Sequence, residues 1–362
     1  MRKVIQLYLL LTCVFIGLRT SAQVSFQASD KHISYMGRVL KTKDSTVLYW
    51  PGTSASINYV GSSIKVTMKS LREKGYFYAI VDGDISKAIK FGSDSLKRTF
   101  TFAKDVTPGP HTLQLYKTSN STSANVIYSF EIESNGKLTK PAALPKRKIE
   151  FYGNSITAGH SVDPVDAGRP AGSPEFFNNY YSYAALTSRH FNAQQSIVAR
   201  SGIGIMLSWF PEIMPEIYNR IDPMDPKSTW NFNSFKPDIV VVNLFQNDYW
   251  LVNSPTHAQF KARFGTAKPT EDFIINSYYN FIKNIRRVYP KARIICALGN
   301  MNATEDGSKW PGYIQQAVAK TKDANIYTLF FPYKKTDGHP NRAEQQIMAD
   351  QLIKFIETNI RW

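Results

Sequence analysis

The segment Ile149-Glu150-Phe151-Tyr152-Gly153-Asn154-Ser155-Ile156-Thr157 lies near the middle of the 362-residue chain. Its first four residues are typical of a short β-strand that is buried on both faces, and the next residues are typical of a tight turn. A serine between a strand and a helix would expose its hydroxyl and direct its own N–H at a developing oxyanion. The segment therefore favours a parallel sheet with Ser155 as a candidate nucleophile, although Gly-Asn-Ser alone is also an ordinary turn.

Four more apolar runs follow this strand, and helical patterns separate them. The predicted strands are residues 149–152, 197–199, 239–244, 294–298 and 326–331. Apolar residues recur at helical spacing over residues 274–288 and 347–356, and Asn341 with Glu344 forms a capping pattern before the second of these helices. Strands that alternate with helices predict an α/β domain with a central parallel sheet, which binds its ligands at the carboxyl ends of the strands.

Two of these strand ends carry further polar candidates. Gly202 follows the second strand, and a glycine there lets the backbone N–H approach a ligand closely. Asn247 follows the third strand and can present its side-chain N–H, while Asp248 can brace the loop. Each feature alone is more typical of a turn than of a site. Together, at one sheet edge, they predict an oxyanion hole formed by Ser155, Gly202 and Asn247.

A histidine follows the last predicted strand, in the segment Asp337-Gly338-His339-Pro340-Asn341. An imidazole at that point can accept the proton of Ser155 and return it to a leaving group, while a nearby carboxylate fixes its tautomer. We interpret the other five histidines as structural. Of these, only His160, five residues after Ser155, is close enough in sequence to the candidate nucleophile to be of interest.

The first half of the chain has a different pattern. Short runs of β-branched and aromatic residues alternate with turn residues between residues 33 and 132, and no helical pattern of useful length occurs there. Strands of this length and spacing predict a β-sandwich. We therefore expect a β-sandwich domain at residues 23–140, a proline-containing linker at 141–147 and the α/β domain at 148–362.

Residues 1–22 have the pattern of a secretory signal peptide. Two basic residues precede an apolar stretch that is shorter than the ~20 residues needed to span a bilayer, and small residues end it. We expect export to the periplasm or the extracellular space, with no membrane association after cleavage. Cleavage would also remove Cys13, so that Cys296 would remain as a buried structural thiol without a disulfide partner.

The composition is that of a folded protein with excess positive charge. The chain is 43% hydrophobic and 13% aromatic, and its formal net charge of +16 would fall to +13 without Arg2, Lys3 and Arg19. Such a charge attracts acidic polymers such as uronate-bearing polysaccharides, but it can equally serve solubility. The basic residues are scattered and no nucleic-acid motif accompanies them, so we predict no nucleic-acid partner. No metal, phosphate-binding or dinucleotide motif occurs, and we predict no cofactor and no metal site.

The polar candidates occur in the order of the conserved blocks of the SGNH hydrolases: Gly153-Asn154-Ser155, Gly202, Asn247 and His339. Other segments, including Trp50-Pro51-Gly52 and Met214-Pro215-Glu216-Ile217-Tyr218, are similar to carbohydrate esterase family 2. The resemblance covers nearly the whole mature chain. It implies a jelly-roll domain followed by an SGNH (flavodoxin-like) hydrolase domain, in an extracellular enzyme that removes O-acetyl groups from plant polysaccharides such as xylan or mannan.

The resemblance also implies a role for each candidate. Ser155 would be the nucleophile and His339 the base. The oxyanion donors would be the backbone N–H groups of Ser155 and Gly202 and the side chain of Asn247.

Three positions depart from the family's pattern. Asn154 stands where the usual motif has aspartate, and Phe245 stands where the usual G-x-N-D has glycine. Asp337 precedes His339 by two residues rather than three. The Gly338 between them permits the loop to curl, so we expect a Ser155-His339-Asp337 triad, with a Ser-His dyad oriented by a backbone carbonyl as the alternative.

Three aromatic residues near Asn247 are predicted to bind substrate. Phe245 would narrow or reshape the pocket, and Tyr249 and Trp250 would line its mouth. Bulky aromatic residues there favour acetyl over longer acyl groups, although they could instead form a platform for a sugar ring. The favoured function is therefore an O-acetylesterase that acts on acetylated polysaccharides or oligosaccharides. The alternatives are another SGNH acylesterase (a lipase, a thioesterase or a sialate O-acetylesterase) and a carbohydrate-binding protein without activity.

Overall fold

The computed structural model describes residues 23–103, 106–141 and 143–362. The predicted signal peptide at residues 1–22 lies outside this part of the chain. The first half of the described chain supplies two antiparallel sheets, and the second half supplies one parallel sheet. The type of sheet therefore changes where the sequence pattern changes.

The strands of the first half are β1 (Gln23–Gln27), β2 (Ile33–Met36), β3 (Val39–Lys41), β4 (Thr46–Leu48), β5 (Ser54–Gly61), β6 (Ile64–Ser70), β7 (Gly75–Val81), β8 (Ile89–Ser93), β9 (Arg98–Ala103), β10 (Gly109–Lys117), β11 (Asn125–Glu133) and β12 (Lys137–Leu138). They form because apolar and polar residues alternate, so that each strand can bury one face. A 3₁₀ turn at Ile85–Lys87 interrupts the pattern.

The two antiparallel sheets face each other across one core. The first has the strand order β3-β4-β11-β6-β9, with β1 paired to β11, and the second has the order β12-β5-β10-β7-β8, with β2 paired to β5. Val66 and Phe130 of the first sheet lie in the same hydrophobic core as Leu113 of the second. The arrangement is a β-sandwich, as the strand spacing predicts. Its assignment as a jelly roll stays a prediction.

The strands of the second half are β13 (Arg147–Gly153), β14 (Ala193–Ala199), β15 (Ile239–Asn243), β16 (Arg293–Leu298) and β17 (Ile326–Phe330). The helices are α1 (Ser155–Ala158), α2 (Tyr183–His190), α3 (Met214–Ile217), α4 (Gln246–Val252), α5 (Ala258–Phe264), α6 (Glu271–Val288), α7 (Trp310–Thr321) and α8 (Arg342–Asn359). Short 3₁₀ turns lie at Pro174–Phe176, Asn179–Tyr181, Phe232–Ser234 and Asn302–Thr304. All five strands are parallel, in the order β14-β13-β15-β16-β17.

Helices cover both faces of the parallel sheet. Helices α6 and α7 pack on one face and α2 and α8 on the other, so the strands are buried on both sides. The predicted cap of α8 is confirmed: the Asn341 side chain accepts the Glu344 N–H at 3.1 Å, and Glu344 accepts the Asn341 N–H at 2.9 Å. One residue of the apolar stripe predicted over residues 347–356 is not buried: Ile347 is 56% exposed.

The order of the strands brings three loops together. Gly153, at the end of β13, is in register with Ala199 on one side and with Asn243 on the other. The chain turns to opposite sides after β13 and β15, and a sheet of this order has its ligand crevice at that switch point, beyond the carboxyl ends of the strands. The segments that begin at residues 154, 200 and 244 therefore meet at one edge.

The sandwich and the α/β domain share buried surface. Trp50 of the sandwich lies in the same core as Tyr152 and Val198 of the parallel sheet. A second tie is polar: Lys90 of β8 contacts Asp163 of the α/β domain at 2.6 Å, and Asp163 also pairs with Arg342, the first residue of α8. The helix that follows His339 is thus anchored to both domains.

The last strand of the sandwich ends at Leu138 and the first strand of the parallel sheet begins at Arg147. The predicted linker at 141–147 lies between them except for its last residue, which is the first residue of β13, and the domain boundaries themselves stay a prediction. In the part of the chain that the structure describes, no helix has the length and apolar character needed to cross a membrane. Cys296 is buried, as predicted, and burial raises the pKa of its thiol to about 12.

Candidate active site

Ser155 begins helix α1 directly after the strand that leads to it. Gly153, two residues before Ser155, has no room for a side chain, because a Cβ at this position would lie 2.0 Å from Thr157 Oγ1. Asn154 caps the helix, since its Oδ1 accepts the Ile156 N–H at 3.0 Å. That bond needs an oxygen and no charge, so asparagine serves here as aspartate would. Ser155 is left 4% exposed at the sheet edge.

Ser155 and His339 are 184 residues apart in sequence and are brought into contact: His339 Nε2 lies 2.9 Å from Ser155 Oγ. Burial, with smaller contributions from His160 and Lys334, lowers the pKa of His339 to about 3. The imidazole is therefore neutral over the ordinary pH range and can accept the proton of Ser155. This pair has the geometry of a nucleophile and its base.

Asp337 does not complete the predicted triad in this structure. Its side chain is exposed, and no hydrogen bond or ion pair joins it to His339 within the described chain. Gly338 does turn the loop, with φ +70°. Asp337 instead contributes its carbonyl oxygen, which accepts a hydrogen bond from Lys334 Nζ at 3.0 Å. The two-residue spacing thus places a backbone group of Asp337, rather than its carboxylate, in the loop's internal network.

Lys334 was not singled out by the sequence, yet it organises the loop that carries His339. Its side chain is 3% exposed, and Nζ donates to the carbonyl oxygens of Thr336 and Asp337 at 2.8 and 3.0 Å. Its backbone N–H donates to the carbonyl oxygen of Asn300, two residues after β16, at 2.9 Å. Burial lowers the pKa of Lys334. No sequence signal distinguishes this lysine from the many exposed ones, because only the folded loop surrounds it with carbonyl groups.

Gly202 lies where the sequence predicts an oxyanion donor. It has φ +86°, a conformation that L side chains rarely adopt, and a Cβ would come within 3.3 Å of Trp209 and 3.2 Å of Phe210. No acceptor for the Gly202 N–H is found among the described residues. The amide is therefore free to donate to a ligand.

Asn247 is held in one orientation by two neighbours. Its Nδ2 donates to the Ile203 carbonyl at 2.8 Å, and its Oδ1 accepts the Trp209 indole N–H at 3.0 Å. One Nδ2 hydrogen remains for an oxyanion. Trp209 is 49% exposed beside Gly202 and was missed by the sequence analysis, since its role depends on a contact between two loops.

Asp248 braces the loop, as predicted. Its buried carboxylate accepts the backbone N–H groups of Ile205, Met206 and Leu207 at 3.0, 2.6 and 3.0 Å. Burial raises the pKa of Asp248 to about 6, although the three N–H groups oppose this shift. The carboxylate ties helix α4, which carries Asn247, to the loop that follows Gly202.

The prediction that Phe245 narrows the pocket is wrong. Phe245 is fully buried, and its ring packs against Tyr278 and Trp310 with centroids 4.8 and 5.0 Å away. Its φ of +87° explains why the usual motif has glycine at this point. The left-handed backbone turns the ring into the core, away from the substrate side of the sheet edge.

The other two predicted aromatic residues lie at the surface of the site. Trp250 is half-buried and lines a pocket of about 250 Å³ that also contains His339. Its indole N–H donates to Asn302 Oδ1 at 3.3 Å. Tyr249 lines a neighbouring pocket of about 320 Å³. Trp250 is thus placed to contact a substrate at His339, whereas Tyr249 lines the neighbouring pocket, which does not contain His339.

The fold and the site together resemble the SGNH-type serine hydrolases that carry a β-sandwich before the hydrolase domain. The sandwich is matched over residues 35–141 by the family model for the N-terminal domain of carbohydrate esterase family 2. This match covers the domain that lacks the Ser-His pair, and so it is independent of the site.

Relatives extend the similarity to the rest of the chain. The cellulase/esterase CelE of Acetivibrio thermocellus is 31% identical over 325 residues, which are 86% of this chain and 38% of CelE. An acetylxylan esterase / glucomannan deacetylase of Cellvibrio japonicus is 24% identical over 365 residues, which cover 98% of this chain and 96% of that protein. The structure of a family two carbohydrate esterase from Clostridium thermocellum in complex with cellohexaose has a TM-score of 0.78 at 28% identity, over 90% of this chain and 98% of that one.

The predicted resemblance to carbohydrate esterase family 2 is therefore confirmed, and the chain is a relative of these enzymes over most of its length. The same comparisons support the predicted class of enzyme, a carbohydrate esterase.

Proposed function

We propose that this chain is a serine esterase that removes O-acetyl groups from plant-type polysaccharides of the xylan or mannan class. The contact of 2.9 Å between His339 Nε2 and Ser155 Oγ carries this proposal. Support for the substrate comes from the relative that is named an acetylxylan esterase / glucomannan deacetylase. We also propose that the chain is exported through the predicted signal peptide, because polymers of this kind lie outside the cell.

In the acylation step, Ser155 Oγ attacks the carbonyl carbon of the acetyl ester while His339 Nε2 takes the hydroxyl proton. The carbonyl oxygen becomes an oxyanion. It accepts hydrogen bonds from the backbone N–H groups of Ser155 and Gly202 and from the Asn247 side chain. The His339 imidazolium then gives its proton to the sugar oxygen, the C–O ester bond breaks, and the sugar hydroxyl leaves.

In the deacylation step, water attacks the acetyl-Ser155 ester, and His339 takes a proton from it. The second oxyanion forms at the same donors. When it collapses, acetate is released and the proton returns from His339 to Ser155 Oγ. No cofactor is needed, since the proton moves only between Ser155, His339, the sugar oxygen and water.

We propose that the substrate is a small acyl group on a bulky polar sugar polymer, because a relative is named an acetylxylan esterase / glucomannan deacetylase. The pocket beside His339 has a volume of about 250 Å³ and Trp250 on its wall. An indole face is a natural platform for a sugar ring. The related structure that holds cellohexaose shows that a relative accommodates a long glycan chain, and we propose that a polymer lies along the same edge here.

The experiment measures acetate released from acetylated xylan, acetylated glucomannan and acetylated pectin, and from 4-nitrophenyl acetate. Ser155→Ala should lose activity by several orders of magnitude, on the order of 10⁶ where all other parts of such a site are intact. Ser95→Ala, an exposed serine of the sandwich, is the matched control and should keep full activity.

The results separate the candidates. More than a few per cent of activity in Ser155→Ala would place the nucleophile elsewhere. Cleavage of octanoyl esters faster than acetyl esters, with none of the polymers deacetylated, would indicate another SGNH acylesterase. Binding of cellohexaose without release of acetate from any substrate would indicate a carbohydrate-binding protein.

A further inference from the structure

We propose that His160 is a positioning residue for His339: its ring stacks face to face on the His339 imidazole and keeps Nε2 directed at Ser155 Oγ, a task that a carboxylate performs in a Ser-His-Asp triad. The inference rests on the proposed function, because it takes His339 as the base. It concerns a residue that belongs to none of the SGNH sequence blocks.

The contact between the two rings is close and nearly parallel. The centroids of His160 and His339 are 3.9 Å apart and the ring planes are inclined by 15°. A ring this close blocks rotation of His339 about its terminal torsion, which is otherwise broad. The stack therefore restricts the imidazole to a narrow set of orientations, and the observed one places Nε2 2.9 Å from Ser155 Oγ.

His160 can act as a support because it is itself held in place. Its backbone N–H donates to the Ser155 carbonyl at 3.0 Å. Its Nδ1 lies 3.0 Å from Ser201 Oγ, and its ring contacts Phe177 with centroids 4.7 Å apart. The Ser201 N–H in turn donates to Asn120 Oδ1 of the sandwich domain at 3.2 Å. The support is thus tied to the nucleophile, to the loop of Gly202 and to the neighbouring domain.

The stack with His160 orients the His339 imidazole because, among the described residues, no carboxylate forms a hydrogen bond to that ring. Asp337 is exposed and has no contact with the imidazole, and no other acidic side chain bonds to His339 within the described residues. An unsupported imidazole would sample other rotamers and lose its alignment. Small misplacements of a catalytic group lower the rate substantially, by about 10²-fold for an error near 1 Å.

The charge state of His160 is compatible with this role. His160 and Lys334 are two groups whose charged forms disfavour an imidazolium at His339. Burial lowers the pKa of His160 to about 4, so the ring stays neutral at neutral pH. It therefore adds little repulsion when His339 takes the proton of Ser155, and Lys334 directs its charge at backbone carbonyl groups of the loop.

The test compares His160→Ala with His160→Phe. Alanine removes the ring, so kcat on 4-nitrophenyl acetate should fall about tenfold or more while KM stays within about threefold, because the base and not substrate binding is disturbed. Phenylalanine keeps a flat ring without the Ser201 contact and should restore most of kcat. His190→Ala, a histidine paired with Glu357 on the surface, is the matched control and should match the unmodified protein.

A second readout separates positioning from general stability. The imidazole of His339 is titrated by NMR in histidine-labelled protein, in the unmodified chain and in both variants. In His160→Ala, water enters beside His339, so its pKa should rise towards the ordinary value of about 6.5 and the acid limb of kcat/KM should move with it. Loss of stability alone would lower the melting temperature without moving this limb.

The outcomes decide the proposal. If His160→Ala keeps kcat within twofold and the titration of His339 is unchanged, the stack has no positioning role. If His160→Ala does not fold, His160→Leu replaces it as the variant without a flat ring, and a kcat within twofold of the unmodified protein in that variant would equally rule out the positioning role. If the unmodified protein releases no acetate, the proposed function fails, while the NMR titration still shows whether the stack controls His339.

Discussion

Arg38, in the turn between β2 and β3 of the sandwich, donates a hydrogen bond of 2.9 Å to Glu150 of β13, and both side chains are fully buried. Arg38 also donates to the carbonyl oxygen of Tyr218 at 2.5 Å, and Glu150 accepts the hydroxyl groups of Tyr152 and Ser196. The ion pair lies in the strand that ends at the candidate nucleophile. Through it, the N-terminal domain contributes directly to the sheet that carries the site.

Removal of one partner of this pair should destabilise the protein strongly. Arg38→Ala leaves the Glu150 carboxylate buried and uncompensated, and the free energy of unfolding should fall by about 3–5 kcal/mol in urea denaturation. Arg98→Ala, which breaks the exposed pair with Asp94, is the control and should cost less than about 1 kcal/mol. The double variant Arg38→Met with Glu150→Gln should be more stable than Arg38→Ala. Equal effects of the two single arginine variants would mean that the buried pair is not formed.

Replacement of the bracing carboxylate should disturb both stability and rate. Asp248→Asn keeps the shape of the side chain but places an NH₂ group against backbone N–H donors. Each hydrogen bond lost from a buried charged acceptor lowers the free energy of unfolding by at most about 1.5–3 kcal/mol. We expect a lower melting temperature and a lower kcat, because Asn247 and the loop after Gly202 are then less well fixed. Asp306→Asn, at an exposed position, is the comparison. An unchanged kcat in Asp248→Asn would show that the hydrogen bonds of Asp248 do not affect the oxyanion hole.

Phe245 offers a test of backbone strain in the core. Phe245→Ala removes a buried ring and keeps the left-handed backbone, so it should cost about 3–5 kcal/mol. Phe245→Gly creates a similar cavity but relieves a strain of about 1–2 kcal/mol. The glycine variant should therefore be the more stable of the two in urea denaturation, which reverses the usual order of alanine and glycine. If Phe245→Ala were the more stable of the two variants, residue 245 would not be held at positive φ.

Asp337→Asn should have little effect on the rate. Its carboxylate has no contact with His339, so kcat should fall by less than about tenfold, whereas loss of the aspartate of a true triad lowers kcat by about 10⁴. His339→Ala, measured beside it, should abolish activity. A loss of more than about 10³-fold in Asp337→Asn would mean that the loop closes on His339 when substrate binds.

Two depressed histidine pKa values predict how activity and stability depend on pH. Because burial lowers the pKa values of His339 to about 3 and of His160 to about 4, the acid limb of kcat/KM should lie below about pH 5. In the unfolded chain both imidazoles become protonated near pH 6.5, whereas in the folded protein they become protonated only near their lowered pKa values. The free energy of unfolding therefore falls as the pH falls from about 6.5 through those lowered pKa values. The slope is at most about 1.4 kcal/mol per pH unit for each ring.

Asp248 acts in the opposite direction, because its raised pKa of about 6 favours the protonated folded state as the pH falls from 6 to 4. The free energy of unfolding is measured by urea denaturation between pH 3 and 8, with His339→Gln as the comparison, which should lose one histidine's share of the slope. An acid limb near pH 6.5 would show that His339 is solvated in the working enzyme.

The sequence predicts the sheet accurately because its five strands are apolar runs with turns at their ends. β15 and β16 were placed to within one residue at each end, and the cap of α8 was predicted from Asn341 and Glu344. Residues that lie just after parallel strands must meet at one edge, so Ser155 and His339 could be paired without coordinates. The prediction for Phe245 failed because a residue next to a strand end can turn either way, and the sign of φ is not written in the residue type.

The sequence by itself determined the two kinds of sheet and the order of the polar residues along the strand ends, because periodicity and spacing are local properties of a chain. Tertiary structure alone decided that Arg38 pairs with Glu150, that Lys334 holds the histidine loop and that His160, rather than Asp337, lies against His339. Those contacts join residues from separate loops or domains, or depend on which way a side chain turns. Distances of this kind are fixed only when the whole core packs.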